Sequence, residues 1–197
     1  MPHYCVNCGT ELVPREIEGR LLEGCPNDDF VLWRDPKVAT AVVVEADGGV
    51  VLGRRAIEPA LGDWCLPGGF VNDDEGPLEA AVRECLEEIG AEVEVIGLIG
   101  VYHIAKREAP SMVGIGYHAR VVDSGRLAPG KEMLELRVFA LDDLPDLAFP
   151  SHRHILGDFV RSQASPEEAE PRRAGAGALR ASRPSQARER WTQRRRR

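Results

Sequence analysis

The sequence predicts an α/β domain with a small metal-held segment in front of it and a tail behind it that cannot order itself. Three observations carry that prediction. Runs of β-branched residues recur through the middle of the chain, beginning with Ala39-Thr-Ala-Val-Val-Val-Glu45. One segment of helical period, Pro77 to Gly90, interrupts them. Two cysteine knuckles lie within the first 30 residues. The expected divisions are 1–34, 35–163 and 164–197.

Composition bounds the function. A chain of 197 residues, 43% of them hydrophobic, suffices for one core with a small appendage. It contains no 18-residue apolar run, so no transmembrane helix is expected. The opening MPHYCVNCGT lacks the charged and apolar regions of a signal peptide, which makes a cytoplasmic address the expectation. Five cysteines, two of them in C-x-x-C, point to a reduced compartment and a metal site rather than a disulfide framework. The net charge of −7 is uneven: from Ser165 onward ten Arg face four Glu, a balance of +6, so the preceding part carries −13. An acidic body argues against nucleic acid as the main ligand and fits a metal-dependent site.

In chain order, Cys5-x-x-Cys8 and Cys25-Pro-Asn-Asp28 stand about twenty residues apart, as zinc ligands do on paired knuckles. So short a stretch cannot build a core, and a metal would have to hold it. Cys5, Cys8 and Cys25 supply three ligands. Asp28 is the first candidate for the fourth and His3 the second, with a structural role for the ion.

The strand Ala39–Glu45 is followed by the hairpin signal Asp47-Gly48-Gly49 and a return strand, Val50 to Arg55. A loop rich in Pro and Gly, Ile57 to Asp63, leads to Trp64-Cys65-Leu66-Pro67-Gly68-Gly69, where two glycines let the backbone approach a bound ion or phosphate.

In the helix, Pro77 suits the first position and Gly90 the position past the end. Leu78, Ala81, Val82, Cys85, Leu86 and Ile89 form an apolar stripe expected to face the core, with Glu84, Glu87 and Glu88 on the other side. Glu84 and Glu88 are one turn apart, a like-charge pair that disfavours the helix unless a cation sits between them. Magnesium, which takes oxygen ligands and keeps waters for a phosphate substrate, fits that place.

Beyond the helix, Glu92–Tyr102, Met112–Val122 and Leu134–Leu141 read as strands. The loop His103–Ser111 is expected to touch substrate. Asp142-Asp143-Leu144-Pro145 offers the start of a short helix, and Ser151–Gln163 reads as a closing amphipathic helix. The rest is Pro, Ala, Gly, Ser, Arg and Glu, read as a solvated tail.

The stretch GFVNDDEGPLEAAVRECLEEIGA, from Gly69 to Ala91, resembles the Nudix box. Its Gly69, Glu75, Arg83, Glu84, Glu87, Glu88 and Gly90 carry the likeness, and Cys85 and Ala91 depart mildly from the usual aliphatic residues. With the knuckles ahead of it, roughly residues 3–160 resemble Nudix hydrolases bearing an N-terminal zinc ribbon, although that pattern has a fourth Cys where Asp28 stands.

The resemblance implies a Nudix α/β/α sandwich with a mixed sheet, preceded by a small zinc-ribbon-like segment. It also implies Mg2+- or Mn2+-dependent hydrolysis of the diphosphate linkage in a small-molecule nucleoside diphosphate-X. The Gly68 carbonyl, Glu84, Glu87 and Glu88 would be the metal ligands, and Glu75 the ion-pair partner of Arg83. The general base stays open between Glu87, Glu132 and Glu135. The NADH pyrophosphatases carry a Ser-Gln-Pro-Trp-Pro-Phe-Pro stretch that this chain lacks, so the likeness favours ADP-ribose or an FAD-like dinucleotide as substrate. NADH and oxidised nucleoside triphosphates are the alternatives. A non-catalytic nucleotide sensor is a further alternative, against which the intact box argues. Family habit also suggests a homodimer.

Overall fold

A computed structural model describes residues 2–105, 111–122 and 127–164. Most of the predicted loop 103–111, at positions 106–110, and the tail from 165 onward lie outside the described residues.

The N-terminal segment is a three-stranded antiparallel sheet of β1 (Val13–Ile17), β2 (Arg20–Gly24) and β3 (Val31–Leu32). Among its described residues the buried hydrophobic side chains are Cys5, Leu12 and Cys25, with Phe30 and Leu32 packed against them. That is too little apolar area to hold about thirty residues together, as the sequence implied.

The larger sheet is built on β4 (Lys37–Ala46). A hairpin joins β4 to β5 (Gly49–Arg55), with Ala46 paired to Gly49. Asp47 and Gly48 have φ of 47° and 80°. Positive φ at both central positions is the two-residue turn whose twist matches the strands, which explains the Asp-Gly. A two-residue strand, β6 (Trp64–Cys65), pairs with β5. After helix α1 (Pro77–Ile89) come β7 (Val93–Ile104), β8 (Met112–Val121), β9 (Met133–Phe139) and helix α2 (Pro150–Ala164). The strand order is β6-β5-β4-β8-β7, with β9 also paired to β5. β4 runs parallel to β8 and antiparallel to β5, so the sheet is mixed, as predicted.

The unbroken apolar run of β4 has a plain cause: both of its faces are covered. Ala41 and Val43 pack with Val50, Leu52, Ile155, Leu156 and Phe159, on the α2 side. Val42 and Val44 pack with Val51, Ala81, Cys85 and Ile89, on the α1 side. Each fully buried Ile, Leu or Phe contributes roughly 1.5–3 kcal/mol through removal of apolar surface from water. The architecture is an α/β/α sandwich.

Two expectations need correction. Asp142–Pro145 does not start a helix: Leu141 and Asp142 form a turn, closed by the Asp143 N–H donating to the Ala140 carbonyl at 3.1 Å, and the chain is irregular after it. Pro145 has no N–H to give and pushes Leu144 out of helical conformation. The buried face of α1 is also rotated from the predicted stripe. Leu78 and Leu86 are each 51% exposed, whereas Ala80, Ala81, Cys85, Glu88 and Ile89 are buried. Small residues at 80, 81 and 85 let the helix lie close on β4, and this turns its larger leucines outward. The same rotation places Glu88, expected on the far side, in the interior at 5% exposure.

Candidate active site

The site forms where the chain between β6 and α1 runs back along β4. The Val42 and Thr40 N–H groups donate to the carbonyls of Pro67 and Gly69, both at 2.8 Å, and the Val71 N–H donates to Val38. Gly68 sits between these anchors and donates its N–H to Glu88 Oε2 at 2.8 Å. A β-carbon on Gly68 would strike the Thr40 carbonyl, and one on Gly69 would strike the Glu84 carboxylate. The glycine pair therefore closes the gap between strand and helix that any side chain would hold open.

At the start of α1, Arg83 organises the loop. Its Nε and Nη2 donate to the two Glu75 oxygens at 2.9 and 2.6 Å, a bidentate pair. Nη1 reaches Glu84 Oε1 at 2.8 Å and Glu87 Oε2 at 3.2 Å, and Nη2 also donates to the Phe70 carbonyl at 3.0 Å. Glu75 accepts a further bond from the Asn72 N–H at 2.9 Å. The Arg83 guanidinium and that N–H hold the Glu75 carboxyl down at about 2, while Glu75 and Glu84 hold Arg83 firmly protonated. Gly90, at φ 65°, ends the helix with its N–H on the Leu86 carbonyl.

The box glutamates differ in setting. Glu87 is exposed and held by Arg83. Glu84 is half-withdrawn, its pKa raised by burial and by the charges of Glu87 and Glu132, against the pull of Arg83. Glu88 is pushed up to about 8 by burial, then by Glu84 and Glu132, with the Gly68 N–H and Arg55 acting in the opposite sense. Buried like charges without a counter-ion are costly, and a divalent cation reverses that cost. The donor set is all oxygen, which suits a hard ion. The residues therefore fit the metal that the box implies, although the three carboxylates are not gathered into one tight cluster.

A cavity of about 420 Å³ opens beside them. Gly68, Gly69, Glu88 and Glu132 line it together with Arg55, Ile57, Phe70, Met112, Phe149 and His152. The two downstream candidate bases are thereby separated. Glu132 faces the cavity, whereas Glu135 lies on β9, 52% exposed and 4.0 Å from Arg54. Arg55, Phe149 and His152 were not singled out from the sequence. His152 comes to the site through a contact across 86 residues, from the Leu66 N–H to its Nδ1 at 3.1 Å, and no local pattern signals such a pairing.

A second cluster lies in the N-terminal segment. Ligand atoms of Cys5, Cys8, Cys25 and Asp28 all fall within 4.8 Å of one another. Asn7 and Asn27, each two residues past a cysteine, point their N–H groups at Cys5 Sγ and Cys25 Sγ, both at 3.4 Å. The Phe30 N–H fixes Asp28 Oδ1 at 2.8 Å and, with other donors, keeps that carboxyl below its usual range. His3, the other candidate for the fourth ligand, is turned away to Glu23 at 2.9 Å.

The chain is similar to known proteins. The family model of the NUDIX domain matches residues 35–159. An ADP-ribose pyrophosphatase of Methanocaldococcus jannaschii is 37% identical over 133 residues, 67% of this chain and 78% of that protein. The NAD-capped RNA hydrolase NudC of Pseudomonas aeruginosa is 32% identical over 154 residues, which is 77% of this chain but only 52% of that protein. The crystal structure of a NUDIX hydrolase from Nitrosomonas europaea superposes with a TM-score of 0.72 at 32% identity, covering 85% of this chain and 94% of that one. Sheet, box and matches agree: the chain belongs to the Nudix hydrolases and is a pyrophosphohydrolase of that family.

Proposed function

We propose that the protein hydrolyses the diphosphate linkage of a nucleoside diphosphate-X with Mg2+ or Mn2+, ADP-ribose being the first substrate to expect and an FAD-like dinucleotide the second. The observation that carries this reading is Glu88, a carboxylate buried on the box helix beside Glu84 and Glu132 at the edge of an open cavity. Nudix hydrolases generally use divalent cations. Here Glu84 and Glu88, with the Gly68 carbonyl and Glu87, are the groups that would hold them. A bound cation would neutralise the diphosphate and lower the pKa of a water.

The chain's own residues do the rest. Arg83 holds Glu84 and Glu87 in place and ties the loop carbonyl of Phe70 to the helix. Glu132, facing the cavity, is placed to take a proton as water oxygen bonds to phosphorus and the bridging oxygen leaves with its electron pair. Arg55 supplies a cationic wall for phosphate oxygens.

Support for ADP-ribose comes from the Methanocaldococcus relative, whose name gives that activity. NADH is the alternative; the NudC match, over 154 residues, is to a protein whose name gives hydrolysis of NAD-capped RNA. The knuckle cluster fits structural zinc, with Asp28 in place of a fourth Cys. A homodimer in a reducing cytoplasm completes the proposal.

The test is turnover of ADP-ribose, FAD, NADH, diadenosine polyphosphates and dGTP with each metal. Hydrolysis of ADP-ribose to AMP and ribose 5-phosphate is expected. Nucleotide binding with no turnover across the panel would instead identify a sensor.

A further inference from the structure

We propose that His152 is a specificity residue of this hydrolase: an imidazole locked in one tautomer, presenting Nε2–H as a hydrogen-bond donor to the nucleoside half of the substrate. The inference rests on the hydrolase reading above and adds which half of the substrate lies where.

The lock is geometric. The Leu66 N–H donates to His152 Nδ1 at 3.1 Å, so Nδ1 carries a lone pair and the proton of the neutral ring sits on Nε2. Phe149 meets the ring edge-on, with centroids 5.0 Å apart, and fixes its plane. Arg55 lies over the Phe149 ring at 5.1 Å and in turn bonds the Pro59 carbonyl at 2.7 Å. Among the described residues Nε2 has no partner, and His152 lines the cavity. A directed donor without a partner in a substrate cavity is a recognition group, because a substrate that cannot accept from it leaves it unpaired.

The ring also stays neutral. Burial and the nearby Arg55 push its pKa down to about 4. The charged groups facing the cavity are Arg55 from β5, Glu58 from the loop after it, Glu88 from α1 and Glu132 ahead of β9. The donor is therefore present across the working pH range and adds no charge.

The surroundings choose between the two halves of the substrate. Ile57, Phe70, Ile104, Met112 and Phe149 give this cavity apolar walls. A planar base gains from such walls, whereas a sugar phosphate does not.

The experiment uses the full chain with nitrogen-15 histidine. AMP and ribose 5-phosphate are titrated separately while the His152 ring resonances are followed. The proposal expects an Nε2-protonated ring from pH 6 to 8 whose Nε2–H signal moves with AMP and not with ribose 5-phosphate. In parallel, kcat/KM is measured for ADP-ribose and its guanine and uracil counterparts in wild type, His152→Gln and His152→Phe. A roughly tenfold change in the ratio among bases, carried mainly by KM and smaller in Gln than in Phe, is expected. A ring that ignores AMP, or unchanged base ratios in variants that still turn over, would overturn it. The AMP titration does not need turnover, so failure of the whole panel in wild type would count against the hydrolase reading alone.

Discussion

The chain carries two sets of residues suited to metal, and they are built on opposite plans. At the knuckles, four ligand atoms already lie within 4.8 Å of one another, and two backbone N–H groups point at their sulfurs. A four-coordinate ion held by all of them would have no position left for a substrate. At the box, Arg83 holds Glu84 and Glu87, the Gly68 N–H holds Glu88, and a cavity of about 420 Å³ stands open next to them. A closed set suits an ion that replaces a missing core, and an open set suits an ion that must also meet a substrate. The lesson lies in what surrounds the ligands: scaffold groups orient them in both places, but only one place keeps room.

The sharpest way to break this comparison is Glu88→Gln. Turnover should fall by roughly two to three orders of magnitude, as when one preorganised electrostatic group is lost. Stability should move the other way in chelator. Glu88 has a folded pKa of about 8 against an ordinary value of 4.5, so the native state holds its proton more tightly than the unfolded chain. Between those values the unfolded chain binds fewer protons, and wild-type stability falls as pH rises, by up to about 1.4 kcal/mol per pH unit from this group. The amide variant has no proton to lose there and lacks this slope. Thermal melts in chelator at pH 5 and pH 8 should show the variant gaining on wild type at the higher pH, and adding Mg2+ should restore the wild type but not the variant. Parallel pH slopes for the two proteins would mean that Glu88 is not the strained carboxylate of the site.

A smaller effect separates the two downstream glutamates. Glu132→Gln should lower kcat by roughly 10²-fold with little change in KM, within the usual range for a general base. Glu135→Gln, at an exposed position beside Arg54, should stay within about twofold, as exposed ion pairs contribute little. Steady-state kinetics on ADP-ribose check both, and equal losses would place the base elsewhere.

How much of this was legible in sequence varied with the range of the interaction. The type I′ turn at Asp47-Gly48, the buried run of β4 and the ends of α1 follow from local chemistry, and all are visible in a few consecutive residues. The rotation of α1 escapes a reading of periodicity, because Leu78 and Leu86 outweigh Ala80 and Ala81 in any apolar tally. The signal was nevertheless present: Glu88 is seven residues after Ala81 and three after Cys85, so it shares their face. His152 and Arg55 could not be found this way, since the Leu66 contact exists only after the sheet has formed. Between Asp28 and His3 the sequence left the choice open. The fold places Asp28 beside the three cysteines and pairs His3 with Glu23 instead.

A small effect on turnover is also expected at the knuckles, and it tests the other half of the comparison. Cys25 is fully buried with its sulfur 3.5 Å from Cys8 Sγ, so Cys25→Ser removes a central ligand of the closed set. Zinc retained through gel filtration should drop from one per chain to none, and protease should then cut within residues 1–34 before residues 35–163. Turnover of ADP-ribose should change by less than about threefold, because no step of the chemistry passes through that ion. Asp28→Cys should move zinc retention in the opposite direction, keeping the ion at chelator concentrations that strip the wild type, since thiolate is the softer ligand. Were Cys25→Ser to abolish turnover while the Nudix domain still melted cooperatively, the closed cluster would be part of the active site and the division between the two plans would fail.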